Sequence, residues 1–212
     1  MSHIAPYEIL FEDDHLIVVN KHYNVLTVAT EDKKTLRHNL WSYINVYLRQ
    51  KHQKAYLVHR LDYETSGVVI FAKDEKTLHV FKEAFRERRV LREYEAVTTG
   101  RLSEHQDLIQ YLSDDRKPLL TDASDGKEAI THLDPANDIQ LGQVLKVSID
   151  TGRHNQIRIA LASQGLAILG DTRYGKTEAK RLYLNCYHIA LRDHPGYDFS
   201  CRPLWLIESK EA

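Results

Sequence analysis

Short apolar segments separated by polar turns open the chain. Residues 7–11 and 16–20 flank an acidic stretch at 12–15, and this pattern predicts a β-hairpin. Farther along, the uninterrupted apolar run at 68–72 is typical of a strand covered on both faces, and another strand is expected at 90–99. The first half of the chain therefore contributes several strands to a sheet.

In three places, apolar residues recur every three or four positions, which is the spacing of an amphipathic helix. One helix is predicted over residues 34–51, and a second runs from an N-cap at Asp74 to residue 89. A third, shorter helix is expected around 157–161, and Gly165 is placed to end it as a C′ residue.

The second half of the chain has weaker patterning. Residues 101–127 are polar and rich in turn residues, so we expect an irregular excursion there. Strand patterns return at 128–133, 140–150, 167–169 and 182–191. With no internal repeat and no shift in composition, the chain is predicted to be one α+β domain over residues 1–212. We expect a mixed, largely antiparallel central β-sheet flanked by helices.

The composition is that of an ordinary globular protein, since 42% of the 212 residues are hydrophobic and 28% are charged. No apolar run approaches the roughly 20 residues that a membrane span needs. The N-terminus lacks the features of a secretory signal, and Cys186 and Cys201 could form at most one bridge. We therefore expect a cytoplasmic protein with reduced thiols.

The 29 Lys and Arg residues nearly balance the 30 Asp and Glu residues, which gives a net charge of −1. No overall positive field attracts nucleic acid, so an RNA site has to come from a local patch. One basic run follows the second predicted helix: Arg86, Arg88, Arg89 and Arg92. Because glutamates are interspersed with these arginines, charge alone leaves phosphate binding and a solvated face as equal alternatives.

The string HRLDYETSG at 59–67 places Asp62 near Arg60 in a loop between two strands. A carboxylate that an arginine keeps ionised can act as a nucleophile or a base. From composition alone, a structural ion pair is the better interpretation, because ion-pair networks also perturb carboxylates. A triad of Ser66, His59 and Asp62 is not supported, since Glu64 stands where a nucleophile elbow requires glycine.

Two further patterns resemble a nucleotide site and a metal site. GDTRYGKT at 170–177 satisfies the phosphate-loop expression, but that fold needs several βα units after the loop and only residues 178–212 remain. We therefore expect no nucleotide site. A second group offers metal-binding side chains at a spacing that matches no zinc pattern, so no metal site is predicted. Its members are Cys186, His188, His194 and Cys201.

Together, these strings resemble the RluA family of RNA pseudouridine synthases. HRLDYETSG resembles the family signature His-Arg-Leu-Asp-x-x-Thr-Ser-Gly. The strings that follow it in the family's order are REYEA at 92–96, TGRHNQIR at 151–158 and ILGDTRYG at 168–175, with DDHLIVVNK at 13–21 and HP at 194–195 as further matches. The resemblance implies a pseudouridine-synthase-type domain and explains the phosphate-loop expression as a coincidence within a family segment.

The resemblance also implies a reaction, the isomerisation of uridine in RNA without a cofactor or metal. The N-glycosidic bond breaks, the uracil turns, and it reattaches through carbon five. Asp62 matches the catalytic aspartate, and the sequence leaves open whether it attacks C1′ or removes the 2′ proton. Arg158 matches the arginine that pairs with this aspartate, and Tyr94 matches the tyrosine that stacks on the target uracil.

RNA is the partner that the resemblance implies, with no membrane and no nucleotide cofactor, and we expect a monomer. Arg60 matches the arginine suggested to fill the space left by an extruded uridine. The predicted RNA-binding residues are His59, Arg60, Thr65, Arg86, Arg88, Arg89, Arg92, Arg153, Asn155 and Gln156. We expect the chain to begin at the catalytic core and to resemble compact members that modify a tRNA anticodon stem-loop, a large-subunit rRNA loop, or both.

Three departures from the family pattern concern substrate fit more than chemistry. Asn155 stands where the family usually has histidine, Lys-His-Tyr-Asn at 21–24 replaces Lys-Pro-x-Gly, and Leu-Asn-Cys at 184–186 replaces Leu-His-Ala. Asn24 tolerates the left-handed geometry of the glycine it replaces. Two alternatives to an active synthase remain: a catalytically inactive RNA-binding module of the same fold, and a nucleotide hydrolase acting through GDTRYGKT.

Overall fold

The computed structural model describes residues 5–203 and Trp205, which form β-strands and three α-helices. The α-helices are α1 (Leu40–Arg49), α2 (Glu75–Arg86) and α3 (Gln156–Ser163). The strands are β1 (Tyr7–Glu12), β2 (Leu16–Lys21), β3 (Tyr56–Leu57), β4 (Ser66–Ala72), β5 (Val90–Thr98), β6 (Gln106–Leu112), β7 (Lys127–Ile139), β8 (Gly142–Ile149), β9 (Leu184–Leu191) and β10 (Asp198–Ser200). The predicted α+β class is confirmed.

The described residues divide into two compact units. The first unit runs to Val90 and resumes at Tyr187, and the second unit is Leu91–Cys186. A compact unit is not by itself an independently folding domain. The single domain predicted over residues 1–212 therefore stays a prediction. Within the described part of the chain, no helix is long and apolar enough to cross a membrane.

In the first unit, β2 lies between β1 and β4, and both pairs are antiparallel. β3 also pairs with β4, and β10 pairs with β9. Every residue of β2 and β4 is buried. For β4, this burial was predicted from the continuous apolar run at 68–72. The loop at 59–67 leads from β3 into β4, so its C-terminal end is fixed by a fully buried strand.

In the second unit, the strand order is β5–β8–β7–β6, and each neighbouring pair is antiparallel. α3 packs against β6 and β7. Its residues Gln156 to Leu161 are all buried, so this helix lies in the interior along most of its length.

Helix boundaries follow the capping residues. The Asp74 carboxylate accepts the Thr77 N–H at 2.8 Å, which confirms the predicted N-cap of α2. The first helix was predicted from residue 34, but α1 starts at Leu40 because the Asn39 side chain accepts the Ser42 N–H at 3.0 Å. Residues Lys33–Leu36 form a separate 3₁₀ turn. Gly165 follows α3 with φ +71°, as expected of a C′ residue.

The excursion predicted at 101–127 is wrong in part, because it contains β6. The residues that share the inner face of β6 alternate between leucine and glutamine, and the glutamines reach α3: Gln106 contacts Gln164 at 3.1 Å and Gln110 contacts Ser163 at 2.8 Å. Because the inner face is partly polar, the strand lacks the alternation of apolar and polar residues by which it could be predicted. The strand predicted at 167–169 is reduced to a single bridge between Ile168 and Thr98.

Candidate active site

The loop at 59–67 is tied to the first unit by side-chain to backbone hydrogen bonds. The Thr27 hydroxyl donates to the Leu61 carbonyl at 2.7 Å and accepts the Leu61 N–H at 3.2 Å. Nε2 of His59 accepts the Ile70 N–H at 3.1 Å, which places the proton of the neutral ring on Nδ1. The His59 ring also packs against Phe85 of α2, with 5.7 Å between centroids. Histidine and threonine therefore fix the part of the loop that precedes Asp62.

A buried lysine supports the same loop from β2. Lys21 is fully buried, and its ammonium donates to the carbonyls of Val25, His22 and Tyr63 at 2.7, 3.1 and 3.3 Å. Three carbonyl acceptors satisfy its three N–H groups, which makes burial of the charge tolerable. Asn24 has φ +56°, so the asparagine does adopt the left-handed conformation predicted for it.

Asp62 lies at the first position of a turn, where its carbonyl accepts the Thr65 N–H at 3.2 Å. Its side chain is half-buried, whereas Arg60 and Tyr63 beside it are exposed. Ser66 is fully buried within β4, which excludes it as an accessible nucleophile. The loop thus holds its one aspartate on a fixed backbone, with exposed side chains on both sides.

β5 carries two of the predicted residues on one face. Tyr94 is 8% exposed and lies opposite Val147 of β8. Arg92, two residues earlier, donates to the carbonyls of Ile149 and Asp150 at 3.3 and 3.1 Å. Gly152 makes room for this guanidinium, because a Cβ there would lie 2.7 Å from Nη1 of Arg92. Arg92 is therefore held against the end of β8.

Arg158 on α3 is 2% exposed and forms a two-pronged ion pair with Asp171. Nε donates to Oδ2 at 2.9 Å and Nη2 donates to Oδ1 at 2.8 Å. The guanidinium carbon also lies 5.3 Å from the centroid of the Tyr174 ring. This arrangement fixes the plane of the guanidinium as well as its position.

Asp171 is the residue in this cluster that sequence reasoning did not assign. Burial raises the pKa of its carboxyl group, but hydrogen bonds from Arg158 and from the Tyr174 and Arg173 N–H groups outweigh burial and keep the pKa below its ordinary value. The aspartate in ILGDTRYG was the available signal, since it was matched to the family without a role.

The last residue of the phosphate-loop string, Thr177, contacts the backbone of this aspartate. The Thr177 hydroxyl donates to the Ile168 carbonyl at 2.6 Å and accepts the Asp171 N–H at 2.9 Å. No helix follows the string in residues 171–183, whereas a phosphate loop leads directly into one. The threonine that would bind magnesium in a phosphate loop braces this turn instead.

Asn155, which replaces the family's usual histidine, lies at the start of α3 with φ +55°. Its side-chain oxygen accepts from Nη1 of Arg158 at 3.3 Å, and its nitrogen donates to the Tyr174 hydroxyl at 3.2 Å. It is 3% exposed, whereas His154 beside it is exposed. Asn155 therefore orients Arg158 from the side opposite the ion pair.

Gln156 and Arg153 differ in their surroundings. The Gln156 amide is buried and makes four hydrogen bonds, accepting from Thr151 and the Arg153 N–H and donating to Ile130 and Thr131. The Arg153 side chain is exposed, and Nε donates to the Glu128 carbonyl at 2.8 Å. Of these two predicted RNA contacts, only the arginine offers an exposed side chain.

The arginines at the end of α2 are exposed or half-buried and lie among carboxylates. Arg86 contacts Glu83 at 3.3 Å and Glu87 at 3.4 Å, and Arg89 pairs with Glu87 and Asp193. Arg88 is exposed with φ +56°. The glutamates are thus true neighbours of these arginines, as the sequence suggested.

Each unit therefore gathers part of the predicted set. In the first unit, His59, Asp62 and Thr65 share one loop, and the His59 ring connects that loop to α2. In the second unit, Asn155 and Arg158 meet at the start of α3, together with the unpredicted pair Asp171 and Tyr174.

Comparison with known families agrees with these observations. A family model described as RNA pseudouridylate synthase matches residues 15–163, which include the loop at 59–67, Tyr94 and α3. The chain belongs to this family. The resemblance seen in the separate strings is thereby confirmed.

Curated relatives extend the similarity. An uncharacterized RNA pseudouridine synthase of Helicobacter pylori is 39% identical over 155 residues, covering 68% of this chain and 60% of the relative. The ribosomal large subunit pseudouridine synthase D of Vibrio parahaemolyticus is 31% identical over 175 residues, covering 80% of this chain and 53% of the relative. The chain thus spans little more than half the length of these relatives.

Among solved structures, the human RNA pseudouridylate synthase domain containing 4 matches with a TM-score of 0.80 and 22% identity. The match covers 96% of this chain and 91% of that chain. At this level of identity the comparison supports the fold.

Proposed function

We propose that this protein is an RNA pseudouridine synthase that isomerises uridine in structured RNA to pseudouridine. The observation that carries the proposal is the family match over residues 15–163, which includes the signature loop with Asp62. Asp62, Tyr94 and Arg158 are proposed as the catalytic residues.

Asp62 supplies the carboxylate. In one route it attacks C1′, and the electrons of the broken glycosidic bond pass to the uracil. C5 of the turned uracil then attacks C1′ and displaces the carboxylate, after which C5 loses a proton and N1 gains one. In the other route Asp62 removes the 2′ proton as the uracil leaves with the electrons of the glycosidic bond, and a glycal forms. C5 of the turned uracil then adds to C1′ as C2′ regains the proton from Asp62, after which C5 loses a proton and N1 gains one. Both routes need an ionised carboxylate and conserve the atoms of uridine.

Arg158 is proposed to keep Asp62 charged, as in the family pattern. A guanidinium near a carboxylate lowers the pKa of that carboxylate, because it stabilises the charged form. Its ion pair with Asp171 and its hydrogen bond to Asn155 support this role, since both fix the direction of the guanidinium. Asp171 and Asn155 are positioning residues in this proposal.

Tyr94 is proposed to stack on the target uracil. An aromatic ring offers a face that suits a base, and its hydroxyl group adds a polar contact. The uridine has to leave its stack to reach such a site, at a cost of a few kcal/mol that is smallest in loops.

The RNA backbone is proposed to contact the arginines that have accessible side chains. These are Arg60, Arg86, Arg88, Arg89 and Arg153. Among the other predicted contacts, His59, Thr65, Asn155 and Gln156 are proposed to shape the loops around the RNA. Arg92, held against the end of β8, is proposed to contact RNA only through the exposed part of its side chain.

Large-subunit rRNA is proposed as the substrate. The support is the name of relatives such as the Vibrio parahaemolyticus protein, a ribosomal large subunit pseudouridine synthase. A tRNA anticodon stem-loop is the other outcome that the experiment distinguishes.

The test is pseudouridine mapping of total rRNA and tRNA from cells that lack this protein. The deletion is complemented with the parent gene, with Asp62→Asn, or with Glu64→Gln. Glu64 is a matched control because it is the other carboxylate of the same loop, at a position that the family signature leaves variable. We expect one or more sites to disappear, and to return with the parent and Glu64→Gln but not with Asp62→Asn.

Asp62→Asn is first checked for native thermal unfolding and for RNA binding, so that loss of the carboxylate is separated from loss of the fold. Restoration of the missing sites by Asp62→Asn would refute the catalytic assignment. An unchanged map in the deletion, combined with RNA binding by the purified protein, would favour the inactive RNA-binding module.

A further inference from the structure

Histidine and aspartate alternate on one face of the hairpin formed by β6 and β7. The sequence repeats His-x-Asp, at His105 to Asp107 and at His132 to Asp134. Asp107 and His132 are direct partners in the antiparallel register, and residues two apart on a strand share a face. The repeat therefore produces a checkerboard of two histidines and two aspartates.

The distances within this group are short. Asp107 Oδ1 lies 2.9 Å from Nε2 of His105 and 2.5 Å from Nδ1 of His132. The ligand atoms of these three residues all lie within 4.8 Å of one another. Two imidazoles and one carboxylate thus converge on one point at the edge of the second unit.

We propose that His105, Asp107 and His132 bind a divalent transition-metal ion, with Zn²⁺ as the best match. Imidazole nitrogen with carboxylate oxygen is a donor set that suits zinc, and sites with three protein ligands keep a fourth position for water. The proposal is independent of RNA modification and assigns the metal no part in it.

The outer carboxylates strengthen this assignment. Nδ1 of His105 lies 2.8 Å from Asp134, and Nε2 of His132 lies 3.3 Å from Asp150. Each histidine thus directs one nitrogen to the common point and the other nitrogen to a second carboxylate. Metal-binding histidines almost always donate their remaining N–H in this way, which fixes the tautomer and the ring orientation.

The side chains have room to adjust to an ion. Zinc bonds of about 2.0–2.1 Å in tetrahedral geometry separate neighbouring ligand atoms by about 3.3 Å. The present separations of 2.5 and 2.9 Å have to open by less than an ångström. The side chains of His105, Asp107 and His132 are 52%, 61% and 29% exposed, so small rotations meet little resistance.

The other group of metal-type side chains does not behave in this way. Among the residues that the structure describes, the group at His105, Asp107 and His132 is the one whose ligand atoms converge. Cys186, His188, His194 and Cys201 are not among the residues of this group. The proposed site would revise the prediction from sequence that the chain has no metal site.

The test is titration of tag-free, chelator-treated full-length protein with ZnCl₂ by isothermal calorimetry, and with Co²⁺ by visible absorption. We expect saturable binding of one ion per chain and the absorption bands of Co²⁺ with nitrogen ligands. Asp107→Asn combined with His132→Asn is expected to abolish both signals. Asp134→Asn is expected to weaken binding by 10- to 100-fold, the range for loss of an outer carboxylate.

His15→Asn is the matched control. His15 is an exposed histidine in the first unit, 3.0 Å from the Asp74 carboxylate, and it is not part of the group of converging ligand atoms found among the described residues. This variant should bind zinc like the parent. The absence of saturable binding in the parent, or binding that survives in the double variant, would show that the checkerboard is only a hydrogen-bond network. Circular dichroism confirms that each variant is folded.

Discussion

The ion pair between Arg158 and Asp171 affects both the stability of the protein and the proposed active site. Both are almost completely buried, and the two hydrogen bonds between them offset the cost of removing their charges from water. Asn155 and Tyr174 complete the surroundings of the guanidinium. A change at Asp171 therefore affects the stability of the second unit and the direction of Arg158 together.

Asp171→Asn removes the carboxylate that forms the two-pronged ion pair with the buried Arg158. Removing one partner of a buried pair costs about 3–5 kcal/mol, so we expect a loss of that size in the free energy of unfolding, measured by urea denaturation. At a temperature where the variant is still folded, kcat should fall with little change in KM, because Arg158 is misdirected while the RNA contacts remain.

Asp138→Asn provides the comparison for this prediction. Asp138 accepts from Arg101 at 2.6 Å, but both side chains are more than half exposed. An exposed pair contributes at most about 1 kcal/mol. Equal losses in the two variants would contradict the importance assigned to burial of the Arg158 pair.

At the residue scale, the sequence predicted the position and conformation of single residues more readily than the residues that they contact. The loop position of Asp62 and the left-handed Asn24 followed from motif and side-chain chemistry. The pairing of Arg158 with Asp171 did not, because their thirteen-residue separation places them on a helix and an irregular loop whose contact depends on tertiary structure. Lys21 was likewise missed, since its acceptors are backbone carbonyls that a sequence does not distinguish.

At the element scale, capping residues and long apolar runs predicted helices and strands, whereas mixed strands were missed. Asp74 fixed the start of α2, and the run at 68–72 identified β4. β6 was lost because glutamines occupy half of its inner face. The repeated His-x-Asp strings were the available signal for pairing β6 with β7, since residues of opposite charge that face each other across an antiparallel ladder stabilise it.

Glu12 at the end of β1 links this strand to α1 and to the end of β4. Burial raises the pKa of its carboxyl group, but hydrogen bonds from Lys51, Lys73 and Tyr47 outweigh burial and lower the pKa from 4.5 to about 2. A lowered pKa in the folded state means that stability is gained above pH 4.5 and lost as the pH falls towards about 2.

Glu12→Gln should therefore reduce the free energy of unfolding by about 1–3 kcal/mol at pH 7, because Lys73 loses its counter-charge. The Lys73 side chain is only 4% exposed, so water replaces the carboxylate poorly. The difference from the parent should narrow below pH 4.5, because the carboxyl group of the unfolded parent takes up a proton there while that of the folded parent, with a pKa of about 2, stays ionised. Urea denaturation between pH 7 and pH 3 measures this difference.

Glu8→Gln is the control for this pH series, because Glu8 lies exposed on the same strand. The pKa of Asp74 is also about 2, mainly because its carboxylate accepts the Thr77 N–H. Asp74 is present in all three proteins, so its contribution to the pH dependence of stability cancels in the differences. A Glu12→Gln deficit that stays constant from pH 7 to pH 3 would rule out the carboxylate as its source.

At the scale of the whole molecule, a net charge of −1 means that attraction to RNA has to be local. The arginines at the end of α2 are the best candidates for this local attraction.

The end of α2 is a Schellman ending. The Arg88 N–H donates to the Phe85 carbonyl and the Arg89 N–H donates to the Ala84 carbonyl, with Arg88 at the left-handed C′ position. Glycine is usual there, and a side chain costs about 1–2 kcal/mol. An arginine at a strained position suggests that its charge has a function.

Arg88→Gly should thus make the protein more stable and a weaker RNA binder. Relief of the left-handed strain should add about 1 kcal/mol to the free energy of unfolding. Loss of one phosphate contact should reduce the slope of log K against log salt by about 0.7, the value for single-stranded RNA. Fluorescence anisotropy of a labelled uridine-containing stem-loop at several salt concentrations gives the slope.

His52→Gly separates the two effects. His52 is exposed and also follows a helix with a positive φ, +57°, but it lies outside the predicted RNA contacts. It should gain similar stability and keep the parent's salt slope. If Arg88→Gly also keeps that slope, the arginines at the end of α2 belong to a solvated face paired with Glu83 and Glu87, and the phosphate contacts have to lie at Arg60 and Arg153 instead.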